Sequence, residues 1–335
     1  MSSTLPGIPD IDAQLADRVL ERLGVIEDEL RAAVSTSDDM MQWTARHLMD
    51  AGGKRVRPML VLLAASFGDV RAPAVVDAAV LVELTHLASL YHDDVMDSAP
   101  TRRGADSAHT LWGNNVAILT GDFLFARASS LSARIGAQAV ALHSATFERL
   151  CMGQLHETVG PAEGDDPFEH YISVLSDKTA SLLALAGHLG ALVGGAGEDV
   201  ADIMRRYGEK VGVAFQLADD VLDLESDAAT SGKTPGIDLR EGVPTMPTLL
   251  VRRRAAEQQD PVAHAIVDRL DQDLSDDAAL HELVELLRQD PALEQTRDLA
   301  QRTATEAVEI LAELPAGPVR DALTTFTRTL VQRRR

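Results

Sequence analysis

The chain has 335 residues and a formal net charge of −21, from 31 Lys plus Arg against 52 Asp plus Glu. That balance would repel a phosphate backbone, which excludes a general nucleic-acid binder; an anionic ligand would need a local basic pocket or metal ions. The single cysteine, Cys151, excludes an intramolecular disulfide framework, and no Cys/His cluster of zinc spacing surrounds it, so a reducing cytoplasm is the expected compartment.

Residues 1–10 contain Pro6, Gly7 and Pro9 and lack the basic start and apolar core of a signal peptide; they read as a flexible tail before one continuous domain over 11–335. From there apolar residues recur three and four apart, as in Leu15, Val19, Leu20, Leu23 and Ile26, and sustained two-residue alternation is hard to find, which predicts an all-α fold. The Gly52-Gly53 break precedes Lys54, Arg55 and Arg57, a concentration of cations in an acidic chain. Pro58 suits a first helical position, so Lys54 and Arg57 would meet free backbone N–H groups in an anion site, unless the loop is merely basic. The apolar run 59–65 is far short of the roughly 20 residues that cross a bilayer, so no membrane span is expected. Asp166-Pro167-Phe168-Glu169 offers an N-cap, a proline at the first helical position and an acid in the first turn, predicting a helix that runs towards Ser176. Gly194-Gly195-Ala196-Gly197 predicts a helix stop, with Glu198 and Asp199 in the first turn of the next. Gly160-Pro161 and the glycines at 232 and 236 mark further breaks, none of them a long polar linker.

One internal echo stands out: Asp93-Asp94-Val95-Met96-Asp97 recurs as Asp219-Asp220-Val221-Leu222-Asp223. On a helix, residues four apart share a face, so Asp93 projects beside Asp97 and Asp219 beside Asp223, with Asp94 and Asp220 flanking them. The apolar flanks, residues 81–91 and 211–217, predict that these carboxylates meet across a cavity rather than face bulk water. Gathering like charges there is costly unless cations compensate. Oxygen ligands without cysteine favour a hard cation, and about three Mg²⁺ would balance six carboxylates. One such pentapeptide is more often a solvated helix face; two copies in apolar segments argue against that reading. Arg102-Arg103-Gly104 follows the first cluster, as a phosphate clamp or as surface ion pairs, and Lys178-Thr179, Gln216 and Lys233 offer donors near the second.

With these motifs in view, the chain resembles the trans-isoprenyl diphosphate synthase (polyprenyl synthetase) family over roughly residues 51–250. The segments 92–97 with 102–104, and 215–223, look like the family's two aspartate-rich motifs. The resemblance implies a single large helical bundle, the isoprenoid synthase fold, around a central cavity, and a homodimer. It implies that Lys54, Arg57, His86 and Arg103 hold isopentenyl diphosphate. It places Arg102, Lys178, Thr179, Gln216 and Lys233 on the allylic prenyl diphosphate, beside Mg²⁺ bound by Asp93, Asp94, Asp97, Asp219, Asp220 and Asp223. The allylic C–O bond would ionise, the double bond of isopentenyl diphosphate would attack, and the released diphosphate would take the proton. One departure is visible: many members carry a lysine after Glu-Gly, where this chain reads Glu241-Gly242-Val243, leaving Lys233 and Arg240 nearby.

Ala88 and Ser89 lie five and four residues before Asp93, about one turn beneath the acidic face. Short-chain members of the family are similar except for bulky aromatics at this level. Two small residues therefore imply a deeper tunnel and a heptaprenyl to nonaprenyl product, for a quinone side chain such as that of menaquinone. Its floor would come from Leu81, Val82, Phe123, Leu124 or Phe125, and so apolar a product would leave by peripheral contact with a membrane or a partner. Three alternatives stay open. A geranylgeranyl diphosphate synthase would make a shorter chain. A class I terpene cyclase takes a single diphosphate and has no need of Lys54 and Arg57. A non-enzymatic subunit would be expected to carry eroded clusters, whereas both are complete here.

Overall fold

The computed structural model describes residues 5, 8, 9, 11–226, 235–258 and 260–331, and they are almost entirely helical. In chain order come α1 (Ala13–Ala33), α2 (Asp39–Asp50), α3 (Val56–Ala65) and α4 (Pro73–Met96), then a short hairpin of β1 (Thr101–Arg102) and β2 (Ala105–Asp106). There follow α5 (Ala108–Trp112), α6 (Asn114–Ile135), α7 (Ala137–Val159), α8 (Pro167–Leu175), a π-helical turn (Ser176–Ala180), α9 (Ser181–Val193) and α10 (Glu198–Glu225). The last are α11 (Ile237–Arg240), α12 (Met246–Glu257), α13 (Pro261–Leu270), α14 (Asp277–Gln289), α15 (Pro291–Leu311) and α16 (Pro318–Val331).

The chain groups into two units: Met1–Glu148 with Ser181–Gly208 and Ile310–Phe326, and Arg149–Ala180 with Glu209–Glu309 and Thr327–Arg335. The first is built on α3, α4 and α9, whose side chains are buried nearly all round; each fully buried leucine or valine contributes about 1.5–3 kcal/mol. Close approach of these helices depends on Gly190, where a Cβ would stand 2.5 Å from the Val61 carbonyl oxygen of α3. In the second unit, Val251, Ile266, Leu280, Leu283, Val284 and Leu287 of α12, α13 and α14 close on Val221 and Leu224 of α10. Tyr171, Leu217, Met246, Leu249 and Ala300 form an adjoining cluster.

Helix punctuation follows the sequence at α8, where the Asp166 carboxylate accepts from the Phe168 N–H at 2.8 Å. It follows it again where α9 gives way to α10 at Glu198. Two expectations need correction, the start of α3 and the length of the longest apolar helix. Helix α3 begins at Val56, so Pro58 is its third residue; the N–H groups of a first turn have no intrahelical acceptor, and a proline fits any of those positions. Of residues 1–10 only 5, 8 and 9 are described: Leu5 and Ile8 are buried, and the Ile8 N–H donates to the Leu5 carbonyl at 3.0 Å. Helix α4 is long and apolar enough, by length and composition, to cross a bilayer, but most of it is buried inside the protein, as in a core helix. The hairpin was not foreseen: its loop, Arg103-Gly104, has φ of 54° and 79°, the doubly left-handed conformation whose twist matches a two-residue β-turn.

Gly190→Ala is expected to destabilise the protein by about 1–3 kcal/mol through overpacking of α9 on α3. Urea unfolding checks it; an unchanged midpoint contradicts the close-approach argument.

Candidate active site

In the first unit, the chain enters α3 through Gly52 and Gly53 and then Arg55, a non-glycine residue held left-handed at φ 47°. Gly53 has little room for a side chain, since a Cβ would stand 3.0 Å from the Nη1 atoms of both Arg55 and Arg103. Arg55 turns inward: it pairs with Glu27, and it donates to Glu83 Oε1 at 3.1 Å and to the Met49 carbonyl at 3.3 Å. Arg103 Nη1 donates to the Leu48 carbonyl at 3.0 Å and to that of Gly52. Arg57 is half-buried; desolvation, with Arg103 beside it and Glu83 opposing, pulls it down to about 10, so it stays charged at neutral pH. Its Nε is buried without a hydrogen-bond partner. On α4, burial and then Arg57, Arg103, Arg102 and Arg55 hold His86 well below the usual imidazole range. Arg57, His86 and Arg103, three of the four residues expected on isopentenyl diphosphate, thus share one positive field, while Lys54 lies exposed on the entering loop. Sequence reasoning missed Glu83, which is 2% exposed and answers Arg55, Arg57 and Arg103 at once. A lone acid in the apolar run of α4 was the available signal.

Farther along α4, the first acidic cluster occupies the helix's C-terminal end. Asp97 is the C-cap residue, Ser98 turns left-handed at φ 50°, and the Ala99 N–H returns to the Asp94 carbonyl at 3.0 Å, which closes the helix. Asp93 is half-buried and Asp97 exposed. Asp94 is wholly buried: Oδ1 accepts from Arg102 Nε at 2.6 Å, and Oδ2 is buried with no partner. Burial pushes the Asp94 carboxyl up, against the pull of Arg102. The hairpin therefore uses its two arginines differently, Arg102 on Asp94 and Arg103 on the basic loop.

In the second unit, α10 carries the other cluster two turns from its end. Asp219 and Asp223 are half-buried. Asp220 is buried, accepts from the Tyr171 hydroxyl at 2.6 Å and the Met246 N–H at 3.0 Å, and is pushed up to about 8 by burial despite those bonds. Thr179 Oγ1 donates to Gln216 Oε1 at 3.4 Å, joining two residues expected on the allylic diphosphate, while Lys178 pairs with Glu157. Lys233 lies outside the described residues. Arg240, the remaining cation near the departed Glu-Gly-Lys pattern, is paired with Asp277.

Among the described residues no three His, Cys, Asp or Glu side chains sit close enough together to form a ready-made metal site. The donors are all carboxylates, the class that hard divalent cations take, and the partnerless Oδ2 of Asp94 fits such an ion. The six aspartates are not alike, however: each cluster turns its middle member, Asp94 or Asp220, towards protein donors. At the level expected to line a tunnel, Ala88 is fully buried and Ser89 Oγ donates to the His86 carbonyl at 2.9 Å. Of the possible floor residues, Leu81, Val82 and Leu124 are buried, Phe123 lies under the Arg127 guanidinium at 4.8 Å, and the Phe125 ring meets that of Phe147 at a tilt, 4.2 Å between centroids.

The Polyprenyl synthetase family model matches residues 38–287. The chain is 40% identical over 333 residues to the nonaprenyl diphosphate synthase of Mycobacterium tuberculosis, covering 99% of this chain and 98% of that one. It superposes with a TM-score of 0.84 on geranylgeranyl pyrophosphate synthase from Corynebacterium glutamicum, complexed with calcium and isoprenyl diphosphate, at 40% identity over 96% of this chain and 98% of that one. With a decaprenyl diphosphate synthase from Rhodobacter capsulatus the TM-score is 0.85, at 32% identity over 95% and 98% of the two chains. The recurring aspartate clusters, the basic loop before α3 and the helical fold thus have one explanation: this chain belongs to the polyprenyl synthetase family and is a trans-prenyltransferase of the polyprenyl diphosphate synthase type.

Proposed function

We propose that the enzyme extends an allylic prenyl diphosphate with isopentenyl diphosphate to heptaprenyl to nonaprenyl length, in the cytoplasm, as a homodimer that uses Mg²⁺. The observation that carries this reading is the group of cations around Glu83, Arg55, Arg57 and Arg103, beside an imidazole, His86, that burial and those cations keep uncharged. It suits a second diphosphate held without metal, which a one-diphosphate cyclase does not need.

Lys54, Arg57, His86 and Arg103 hold isopentenyl diphosphate, with the unpartnered Arg57 Nε offering a donor. Arg102, Lys178, Thr179, Gln216 and Lys233 hold the allylic diphosphate. Mg²⁺ would be held by Asp93, Asp97, Asp219 and Asp223, with Asp94 contributing its second oxygen and Asp220 steadying the other cluster; when bound it neutralises the departing diphosphate. The positioned double bond then meets the allylic carbon with its entropy of approach already lost, a large part of the rate. No side chain is assigned as base, and the released diphosphate takes the proton.

Relatives of equal identity carry geranylgeranyl and nonaprenyl names, so kinship does not choose the length, and a geranylgeranyl product is the second reading. The small side chains Ala88 and Ser89 favour the longer product, a precursor fit for a quinone such as menaquinone and released at a membrane surface. Dimerisation is supported by Met40, Trp43, Leu111, Ile118 and Leu119, exposed apolar side chains of α2, α5 and α6, which pack on one another in the first unit. The exposed thiol of Cys151 suits a reducing compartment.

Asp93→Ala or Asp219→Ala should lower turnover at least about a hundredfold with the fold intact, as loss of charge stabilisation in a transition state does; unchanged turnover refutes the metal assignment. Glu83→Gln should raise KM for isopentenyl diphosphate by about tenfold while leaving that for the allylic substrate within about twofold, since it removes a buried counter-charge worth more than 1 kcal/mol; equal changes refute its role. Mass spectrometry of the native product tests the length directly, with geranylgeranyl diphosphate as the contrary result. Ala88→Phe should shorten the product by at least one C5 unit, and an unaltered product means the chain grows elsewhere.

A further inference from the structure

Helix α7 presents Arg149, Gly153 and Glu157 four residues apart, hence on one face. All three meet the π-helical turn Ser176–Ala180. Arg149 Nε donates to Asp177 Oδ1 at 2.7 Å, and its Nη2 donates to Ser176 Oγ at 3.0 Å and to the Ser176 carbonyl at 3.3 Å. At Gly153 a Cβ would stand 2.6 Å from the Lys178 backbone nitrogen, so the helix admits the turn only without a side chain there. Glu157 receives the Lys178 ammonium.

From α10 a second face closes on the same turn. Glu209 takes Arg149 Nη2 at 2.6 Å and Nη1 at 3.1 Å, a two-pronged grip, and also accepts from the Ser176 hydroxyl. At Gly212 a Cβ would stand 2.5 Å from the Ala180 Cα, and Gln216 receives the Thr179 hydroxyl. One guanidinium thus ties a wide helical turn to two helices, and Lys178 and Thr179 are the residues that turn displays. Such a turn breaks the regular i→i−4 ladder and recurs at functional sites, so it needs support from outside its own backbone.

We propose that Arg149, gripped by Glu209, is a positioning residue of the prenyl transfer that fixes the turn Ser176–Ala180 and thereby the placement of Lys178 and Thr179 on the allylic diphosphate. This rests on the reading that those two residues hold that substrate. Arg149 touches neither substrate; it acts through the turn. A lysine keeps the charge but not the planar fork that spans Asp177 and Glu209, so Arg149→Lys isolates geometry from charge.

The test measures KM for each substrate in Arg149→Lys, Arg149→Met, Glu209→Gln and Lys178→Ala, with amide hydrogen exchange of residues 176–180. Arg149→Lys is expected to raise KM for the allylic diphosphate at least about tenfold, to leave that for isopentenyl diphosphate within about twofold, and to speed exchange across 176–180. Glu209→Gln should move the same quantities in the same direction, and carries the test with Arg149→Lys if Arg149→Met does not fold. Equal rises in both KM values, or an unchanged allylic KM with unchanged exchange, overturn the proposal. Lys178→Ala separates the two levels: if it leaves the allylic KM unaltered, the reading beneath fails, whereas a rise there without one in Arg149→Lys sinks this inference alone.

Discussion

A carboxylate at the carbonyl end of a helix sits against the negative pole of the helix dipole, and α4 carries three aspartates in its last turn and C-cap while α10 carries three within its last two turns. Two carboxylates about 5.5 Å apart repel by about 3 kcal/mol at the effective dielectric of a protein surface, more than the roughly 1 kcal/mol that a single hydrogen bond returns. The fold takes up part of that charge from within. Arg102 answers Asp94, while Tyr171 and the Met246 N–H answer Asp220. A chain of net charge −21 thus gathers acids towards the C-terminal ends of two helices and ties the central one of each three to protein donors.

The basic loop solves the opposite problem. Arg55, Arg57 and Arg103 lie close enough to depress the basicity of His86 together, and burial alone would make such a cluster unstable. Glu83 and Glu27 offset it in part by pairing with Arg55, and Arg57 Nε is left without a hydrogen-bond partner. Under the proposed reaction one diphosphate would be met by fixed cations and the other through metal on carboxylates. That chemical asymmetry is what a reaction needs in which one diphosphate departs and the other stays attached.

Much of this was legible in the chain. The three- and four-residue periodicity gave all-helical architecture, the Asp166-Pro167 cap and the Gly194–Gly197 stop fell where helices begin and end, and the spacing of the two aspartate clusters marked helix faces. What escaped was whatever depends on a distant partner. Spacing alone treats six aspartates as equals, because Tyr171 lies 49 residues from Asp220 and nothing local announces the bond. Glu83 could be noticed as an acid in an apolar run, but its use as a counter-ion follows only once Arg55, 28 residues away, folds back onto it. The start of α3 was misplaced because proline fits any position of a first turn, and the hairpin at 101–106 is too short to leave an alternating pattern.

Glycines inside helices expose a further economy of design. Each costs about 1 kcal/mol against alanine in a helix interior, a cost that close backbone packing offsets at several positions. In the first unit, Gly187, Gly190 and Gly208 each abut a neighbouring backbone within 2.5 Å of where a Cβ would stand, and they serve the mutual approach of core helices. In the second, Gly153 and Gly212 do the same around a single turn that carries Lys178 and Thr179. The same device thus packs a core in one place and seats two polar side chains in the other. The second use explains why that turn is cradled by helix faces on which small and charged residues alternate: the glycines bring the backbones into contact, and Arg149, Glu157, Glu209 and Gln216 then fix the turn's rotation.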